Sequence, residues 1–410
     1  MNLIHIVHQL RLASGTNAKL EILKQYSNNE MWKKFLVATY DERISYGVSA
    51  PKVFDYDVVE IDDAMFNCLN KLACRDITGN HAKTAVKWLS QTYGEIPRLV
   101  LDRSLKAGVS FTTINKAYPG LIEVFKSMKG KDVPIVEYPV RSSIKFDGVK
   151  VFAVVRPDSI KLLTSSGAEF ELSSLKYELQ KAAYGVYEGE LTYKEGKQIH
   201  RSVITGLLNS LLAGTKTDIS DYFFRVYDFL TLEEWDSQTC SVPFARRQER
   251  LLSSFEVNIQ DSWYIKQVEH LTHNNLDEVV KYFESLIAEG YEGSMHRYDE
   301  DCYIWDRVDR LIKKKSIKEC VLPCIGTIPH SNPEKGIIGS LICKGMILDK
   351  DVGYIEVEVN VGSGLSKSDI QFGPDRYVGE EIEILYNTVT STDSGYSLFL
   401  PRFKRIKGKL

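Results

Sequence analysis

Apolar residues recur three and four positions apart through the first third of the chain, in LEILKQY (20–26), MWKKFLVATY (31–40), MFNCLNKLA (65–73), HAKTAVKWLSQTY (81–93) and RLVLDRSLKAG (98–108). That is the period of helices with one buried face. The breaks ASGTN, ITGN and YPGLI carry the Gly and Pro that end helices. After KSMKGKDVPIVEYPV (126–140) the pattern changes to strand-like runs: VKVFAVV, IKLLTSSGAEFEL, GVYEGELTY, FFRVYDFL and WYIKQVEHL. Helical spacing interrupts them near 173–183, 200–212, 244–254 and 275–289. The last hundred or so residues read as five short strand segments, LPCIGTIP, GSLICKG, GYIEVEVNVGSG, EEIEILYNTVT and YSLFLPRFKRIK, which suit a small barrel of the oligonucleotide-binding (OB) type. The pattern predicts a multidomain chain: an all-α domain over 1–131, an α+β domain over 132–315 and a C-terminal OB-type β-barrel over 316–410.

Composition agrees with soluble globular domains, 43% hydrophobic against 26% charged. The opening MNLIHIVHQLRLASG is interrupted by His5, His8 and Arg11, and no run approaches the ~18 apolar residues of a membrane span. Seven cysteines form no C-x-x-C pair, which argues against a zinc ribbon or disulfide framework and for free thiols in a reducing cytoplasm. Charge is uneven: residues 1–131 hold 18 Lys+Arg and 13 Asp+Glu, the rest 34 and 42. A basic module beside an acidic one suits a polyanion partner for the first and metal-binding or catalytic carboxylates in the second.

The stretch RSSIKFDGVKVFAVV (141–155) puts Lys145 and Asp147 into what reads as one buried strand, where residues two apart share a face. Two charges on one core face need partners. Four other segments hold charges in similar settings: Glu188 and Glu190 around Gly189, Tyr227-Asp228 ending FFRVYDF, Glu292 before Gly293, and Lys313 with Lys315. Each alone is compatible with a solvated face or ordinary core. No G-x-x-x-x-G-K-[ST] occurs, since AGTKTD lacks the adjacent Gly-Lys, and VGSGLSK has no third glycine, so neither a P-loop nor a dinucleotide fold is indicated. His270 and His296 read as structural or exposed rather than catalytic.

In order, K-x-D-G at Lys145, Glu190 in E-G-E, Tyr227 before an Asp, Glu292 in E-G and the K-x-K pair Lys313 and Lys315 resemble the covalent nucleotidyltransferases: ATP-dependent DNA ligases, RNA ligases and messenger-RNA capping enzymes. RSLKAGVSFTTINKAYPGLI and VNVGSGLSKSD further resemble the DNA ligases of T-even bacteriophages. The resemblance implies an ATP-grasp-like, two-sheet nucleotidyltransferase domain over 132–315, between a helical DNA-binding domain and the OB-type barrel. It implies a nick-sealing enzyme whose Lys145 carries AMP. ATP would be bound by Lys145, Lys150, Glu190, Tyr227, Glu292, Lys313 and Lys315, with Tyr227 stacked on adenine and Mg²⁺ on Glu190 and Glu292. A lysine of ordinary pKa, about 10.4, must be shifted down by about three pH units to attack, roughly 4 kcal/mol, and carboxylates alone push the other way. The dication is expected to reverse the local field.

Arg103, Lys106 and Lys116, together with Arg402 and Arg405 of the basic tail (Arg402, Lys404, Arg405, Lys407, Lys409), are the candidate contacts to nicked double-stranded DNA, gripped by a monomer that encircles the duplex in the cytoplasm of a cell, the host's if the chain is viral. The sequence departs from the family at four points: Lys150 stands where an arginine is usual, Ser165 in TSSG replaces the arginine of an S-R-x-G motif, Ser294-Met295-His296-Arg297 stand after Glu292 where an apolar pair and a lysine are expected, and Phe399 stands at an arginine position of the last motif. The rival expectations are an RNA ligase or capping guanylyltransferase, and a nick-binding repair protein weakened in catalysis.

Overall fold

The computed structural model describes residues 3–50, 60–197, 201–255, 259, 261–330, 336–349, 353–392 and 395–408. The chain forms two compact units, Met1–Lys314 and Lys315–Leu410. Lys409 of the basic tail lies outside the described residues.

The first unit opens with α1 (Leu3–Leu12), α2 (Gly15–Gln25), α3 (Glu30–Tyr40), α4 (Asp63–Ala73), α5 (Gly79–Tyr93), α6 (Ile96–Leu101) and α7 (Phe111–Ala117). Side chains cap several starts: Asn29 accepts from the Trp32 amide, Asp62 from Ala64 and Met65, and Ser110 from Thr113. The periodic apolar residues meet in one core that includes Trp32, Phe35, Leu69, Leu89 and Leu99. Trp32 is fully buried, and its indole N–H finds the Tyr118 hydroxyl at 3.2 Å.

There follow β1 (Lys129–Lys131), β2 (Val140–Lys145), β3 (Val149–Val155), β4 (Ile160–Thr164), β5 (Glu169–Phe170), α8 (Ser173–Leu179), β6 (Gly185–Tyr193), α9 (Arg201–Leu212), β7 (Tyr222–Leu230), α10 (Leu232–Ser237) and α11 (Phe244–Ser254). After them come β8 (Ile265–Gln267), β9 (Leu271–His273), α12 (Leu276–Ala288), β10 (Gly293–Arg297) and β11 (Arg307–Lys315). The strands form a five-stranded sheet in the order β1-β11-β10-β2-β9 and a six-stranded sheet in the order β5-β4-β3-β6-β7-β8. Alternation along β3 serves two layers. Val151, Ala153 and Val155 pack with Leu175, Ile204 and Leu251 of α8, α9 and α11, whereas Phe152 and Val154 pack with Met128, Tyr303 and Leu311 between the sheets. Burial on both faces explains the unbroken apolar run VFAVV over 151–155.

The single strand expected over 141–155 is not formed. It breaks at Lys145: β2 belongs to the five-stranded sheet and β3 to the six-stranded one, so Phe146, Asp147 and Gly148 are the crossover between sheets. Alternation was the right signal locally, but it cannot register a change of sheet, because both halves are buried and β-rich.

The second unit holds β12 (Lys318–Pro329), β13 (Ile338–Asp349), β14 (Gly353–Val361), β15 (Glu381–Tyr386), β16 (Thr388–Thr392), β17 (Gly395–Phe399) and β18 (Arg402–Ile406). They make one sheet, β16-β17-β14-β13-β12-β15-β18, which curls so that Ser363 bridges Arg402. Two of the five expected segments split. EEIEILYNTVT turns at Asn387, and YSLFLPRFKRIK turns at Leu400, at φ 53°, before Pro401, which has no N–H to give a ladder. All seven cysteines are unpaired. Among the described residues no helix is long and apolar enough to cross a membrane.

Two buried polar networks brace the first unit. Asp228 accepts from Arg247 at 2.8 and 3.0 Å and from Arg297 at 2.6 Å, with all three side chains buried. Ser142 bridges His296 and His273 at 2.8 Å each, and Ser294 meets the other nitrogen of His296 at 2.7 Å, pinning β2 to its neighbours β9 and β10. Burial, with His273 and Lys314 facing it, lowers the His296 imidazole from 6.5 to about 4. On acidification the unfolded chain takes up this proton first, so stability is lost as the pH falls from about 6.5 to about 4. One such group contributes up to about 1.4 kcal/mol per pH unit. Denaturant midpoints measured across this window should therefore fall in the wild type and fall less steeply in His296→Asn; parallel curves would show that His296 does not carry the proton.

Candidate active site

β2 delivers Lys145 at its last position, opposite Gly293 at the start of β10. The residue before that glycine, Glu292, is buried and accepts a hydrogen bond from Lys145 Nζ at 2.5 Å. Segments 147 residues apart thus meet in an ion pair whose lysine is 17% exposed. Phe146 turns inward beneath the Arg225 guanidinium, 4.4 Å from its ring centre. Gly148 lets the crossover lie against β6: a Cβ there would stand 2.4 Å from the Leu191 carbonyl oxygen and 2.8 Å from Glu190 Cγ.

Asp147 is buried, and its carboxylate accepts from Arg201 Nη1 at 2.7 Å, while its amide donates to the Gly196 carbonyl at 2.9 Å. Burial and the Glu292 charge raise the Asp147 carboxyl; Arg201 and Lys145 oppose them. Lys145 and Asp147 therefore serve one site even though they do not share a strand. Glu190 faces Lys150 across the β3–β6 ladder. Burial pushes Glu190 up to about 7; Lys145 draws it down, and the Glu292 charge adds to the rise. Lys150 donates to the Met128 carbonyl at 2.7 Å and contacts the carboxylate of Glu188, which is buried rather than solvent-facing. The half-buried Tyr227 feels the Glu188 and Glu190 charges, and after burial these raise its phenol well above the usual range. The Arg297 guanidinium lies 5.6 Å from the Tyr227 ring centre.

Lys313 is part-buried on β11, the neighbour of β10 in the five-stranded sheet, and Lys315 is the first residue of the second unit. The candidate DNA contacts are scattered. Arg103 points into the fold and donates to the carbonyls of Asp41 at 2.6 Å and Ile44 at 2.5 Å. Lys106 is exposed beside Asp102, and Lys116 is exposed at the end of α7. In β18 Arg402 is exposed, and Arg405 makes a two-pronged contact with Glu383 at 2.7 and 3.0 Å. Ser165 sits in the turn after β4, and Phe399 ends β17.

Two members of the site were not foreseen as such, Arg201 and Glu188 as the partner of Lys150. Arg201 carries no motif and lies 54 residues from Asp147, so only the fold could find it. Among the described residues no three His, Cys, Asp or Glu side chains form a metal cage. Two neighbouring carboxylates, one of them disfavoured as an anion, instead fit Mg²⁺, which typically takes one or two carboxylates and draws its remaining oxygens from phosphates and water. In metal-free protein Glu190 is neutral at low pH in both states, and ionising it costs the fold as pH rises from 4.5 through about 7. Glu190→Gln should accordingly stabilise the metal-free protein on the order of 1–2 kcal/mol at pH 8 and little at pH 4.5, as read from denaturant midpoints. Equal effects at both pH values would remove the buried-anion penalty from Glu190.

No family model matches the chain. It is 26% identical to the DNA ligase of Enterobacteria phage T4 and equally to that of phage T6, over 99% of this chain and 95% of theirs. It is 32% identical to the DNA ligase of African swine fever virus over a shorter stretch, 37% of this chain and 35% of that one. Among solved structures, Pmar-Lig_PreS3 superposes with a TM-score of 0.73 at 21% identity, covering 99% of both chains. A Lig E DNA ligase superposes with a TM-score of 0.53 at 17% identity, over 70% of this chain and all of the other. With a lysine seated at a sheet crossover against a buried glutamate, the chain is similar over nearly its full length to the DNA ligases of the T-even phages.

Proposed function

We propose that the protein seals nicks in duplex DNA with ATP, through AMP held on Lys145. The observation that carries this reading is the buried contact between Lys145 Nζ and Glu292, with Asp147, Glu190 and Arg201 around it. A lysine only 17% exposed, with its amine held by a buried glutamate, is placed as a positioned nucleophile needs to be.

The amine attacks the α-phosphorus of ATP, a P–N bond forms, the bond to the bridging oxygen breaks, and pyrophosphate leaves. Glu292 is the anion in contact with the amine, so it stabilises the ammonium until that contact is given up. Glu190 and Glu292 would hold Mg²⁺, which supplies positive charge against the phosphate oxygens and against the ammonium. Lys313 and Lys315 are assigned to the same phosphates, and Tyr227 to the face of adenine. A phosphate oxygen at the 5′ side of the nick then takes the adenylyl group from Lys145, and the 3′-hydroxyl displaces AMP to close the backbone.

We assign residues 1–131 to a helical DNA-binding domain, 132–315 to a two-sheet, ATP-grasp-like adenylylation domain and 316–410 to an OB-type domain. Exposed Lys106, Lys116 and Arg402 are the candidate phosphate contacts of a monomer closing around the duplex, acting in the cytoplasm, the host's if the chain is viral. Arg103 and Arg405 are weaker candidates, because each already satisfies acceptors within the fold.

Labelled duplexes with a single nick, in all-DNA or with an RNA strand, test the reading. With ATP and Mg²⁺ the wild type should seal the DNA nick, Lys145→Ala should seal none, and Glu292→Ala should lose sealing by about a hundredfold or more while retaining affinity for nicked DNA. Sealing confined to RNA strands, or by GTP in place of ATP, would move the protein to one of the rival classes.

A further inference from the structure

We infer that Arg201 is a phosphate-binding residue of this site and supplies from α9 the guanidinium fork that Lys150 lacks. The inference rests on the ligase reading of Lys145.

Lys150 occupies the position at which related K-x-D-G motifs are followed by arginine, but its ammonium is committed. It is 18% exposed, contacts Glu188, donates to the Met128 carbonyl at 2.7 Å and lies 5.2 Å over the Phe152 ring centre. An ammonium held this way is a point charge locked into the β3–β6 layer and cannot offer two parallel N–H groups to an incoming oxyanion.

Arg201 is in the opposite condition. It opens α9, its side chain is 45% exposed, and it spends one N–H on the Asp147 carboxylate at 2.7 Å. Asp147 is the carboxylate it contacts, and the charges of Glu292 and Glu190, which also act on Asp147 or Lys145, reach it as well. Asp147 holds one prong from a buried position, and the rest of the planar donor set belongs to a side chain that is 45% exposed, to which a phosphate can make charge-assisted, geometrically matched bonds. Asp147 thereby has its own role, as the positioning residue that aims the fork.

The ligand is a phosphate oxyanion near Lys145, either of the nucleotide or of the 5′ end of the nick. Arg201→Gln and Arg201→Lys, compared with wild type, separate these sources in two arms. One arm follows formation of the AMP adduct by intact mass in single turnover at varied ATP. The other follows sealing of a nick already carrying AMP on its 5′-phosphate, together with binding of nicks bearing 5′-phosphate or 5′-hydroxyl.

Arg201→Gln should slow at least one arm roughly tenfold to a hundredfold, and Arg201→Lys should recover only part, because charge returns without the fork. Loss in the adduct arm with a raised half-saturating ATP concentration assigns the nucleotide phosphate. Loss in the second arm with a vanished preference for 5′-phosphate assigns the nick. Three results would overturn the inference: both variants equal to wild type, complete rescue by lysine, or a loss that leaves the ATP dependence and the 5′-phosphate preference untouched, which marks a structural role. Should Arg201→Gln fail to fold, Arg201→Lys alone decides by the same criteria. If the wild type forms no adduct, the ligase reading itself falls, an outcome distinct from failure of the Arg201 variants alone.

Discussion

Everything in the site depends on one steric constraint: the chain must leave one sheet and enter another within the three residues after Lys145. Gly148 makes this possible, since any side chain there would collide with the backbone of β6. The close approach brings Glu190 to the crossover, and the pairing of β2 with β10 brings Glu292 to Lys145. Because β2 and β3 each lie within paired sheets, the lysine is anchored on rigid elements rather than on a free loop.

The electrostatics follow from that geometry. Lysines 145 and 150 and Arg201 face Asp147, Glu188, Glu190 and Glu292 in a partly water-excluded space, and the charges restrain one another. Such a cluster carries desolvation costs that a packed apolar site would not, and Glu190 records part of the cost in its raised pKa. The arrangement suits a site whose resting charges are rearranged when a polyanion and a dication enter. The Ser142–His296–His273 network beneath holds β2 in register while that happens.

Much of this was legible in the sequence. The helical period of the first third, the four later helices and the strand runs reflect local burial patterns that tertiary packing reinforced, as in α11 and β6. The order Lys145, Glu190, Tyr227, Glu292, Lys313 was readable only through its resemblance to the covalent nucleotidyltransferases, since locally each is a charge or an aromatic-acid pair in a strand context that ordinary core or a solvated face also allows. The change of sheet at Phe146 was not readable, since VRSSIK and VKVFAVV have the same β character. The extra turns at Asn387 and Leu400 were hidden for a similar reason, inside runs that stay β-rich on both sides. Arg201 and the burial of Glu188 depend on contacts across tens of residues, for which periodicity offers no signal. Arg103 shows the converse: a basic residue in a recognisable segment can be spent on backbone carbonyls of its own fold.

The central claim is that one particular amine, at the crossover, carries the nucleotide. Its most direct test is to incubate the protein with ATP and Mg²⁺, digest it under conditions that preserve a phosphoramidate, and locate the adenylyl group by tandem mass spectrometry. The account predicts AMP on Lys145 in the peptide spanning the K-F-D-G segment. AMP on any other lysine, Lys150 included, would contradict it.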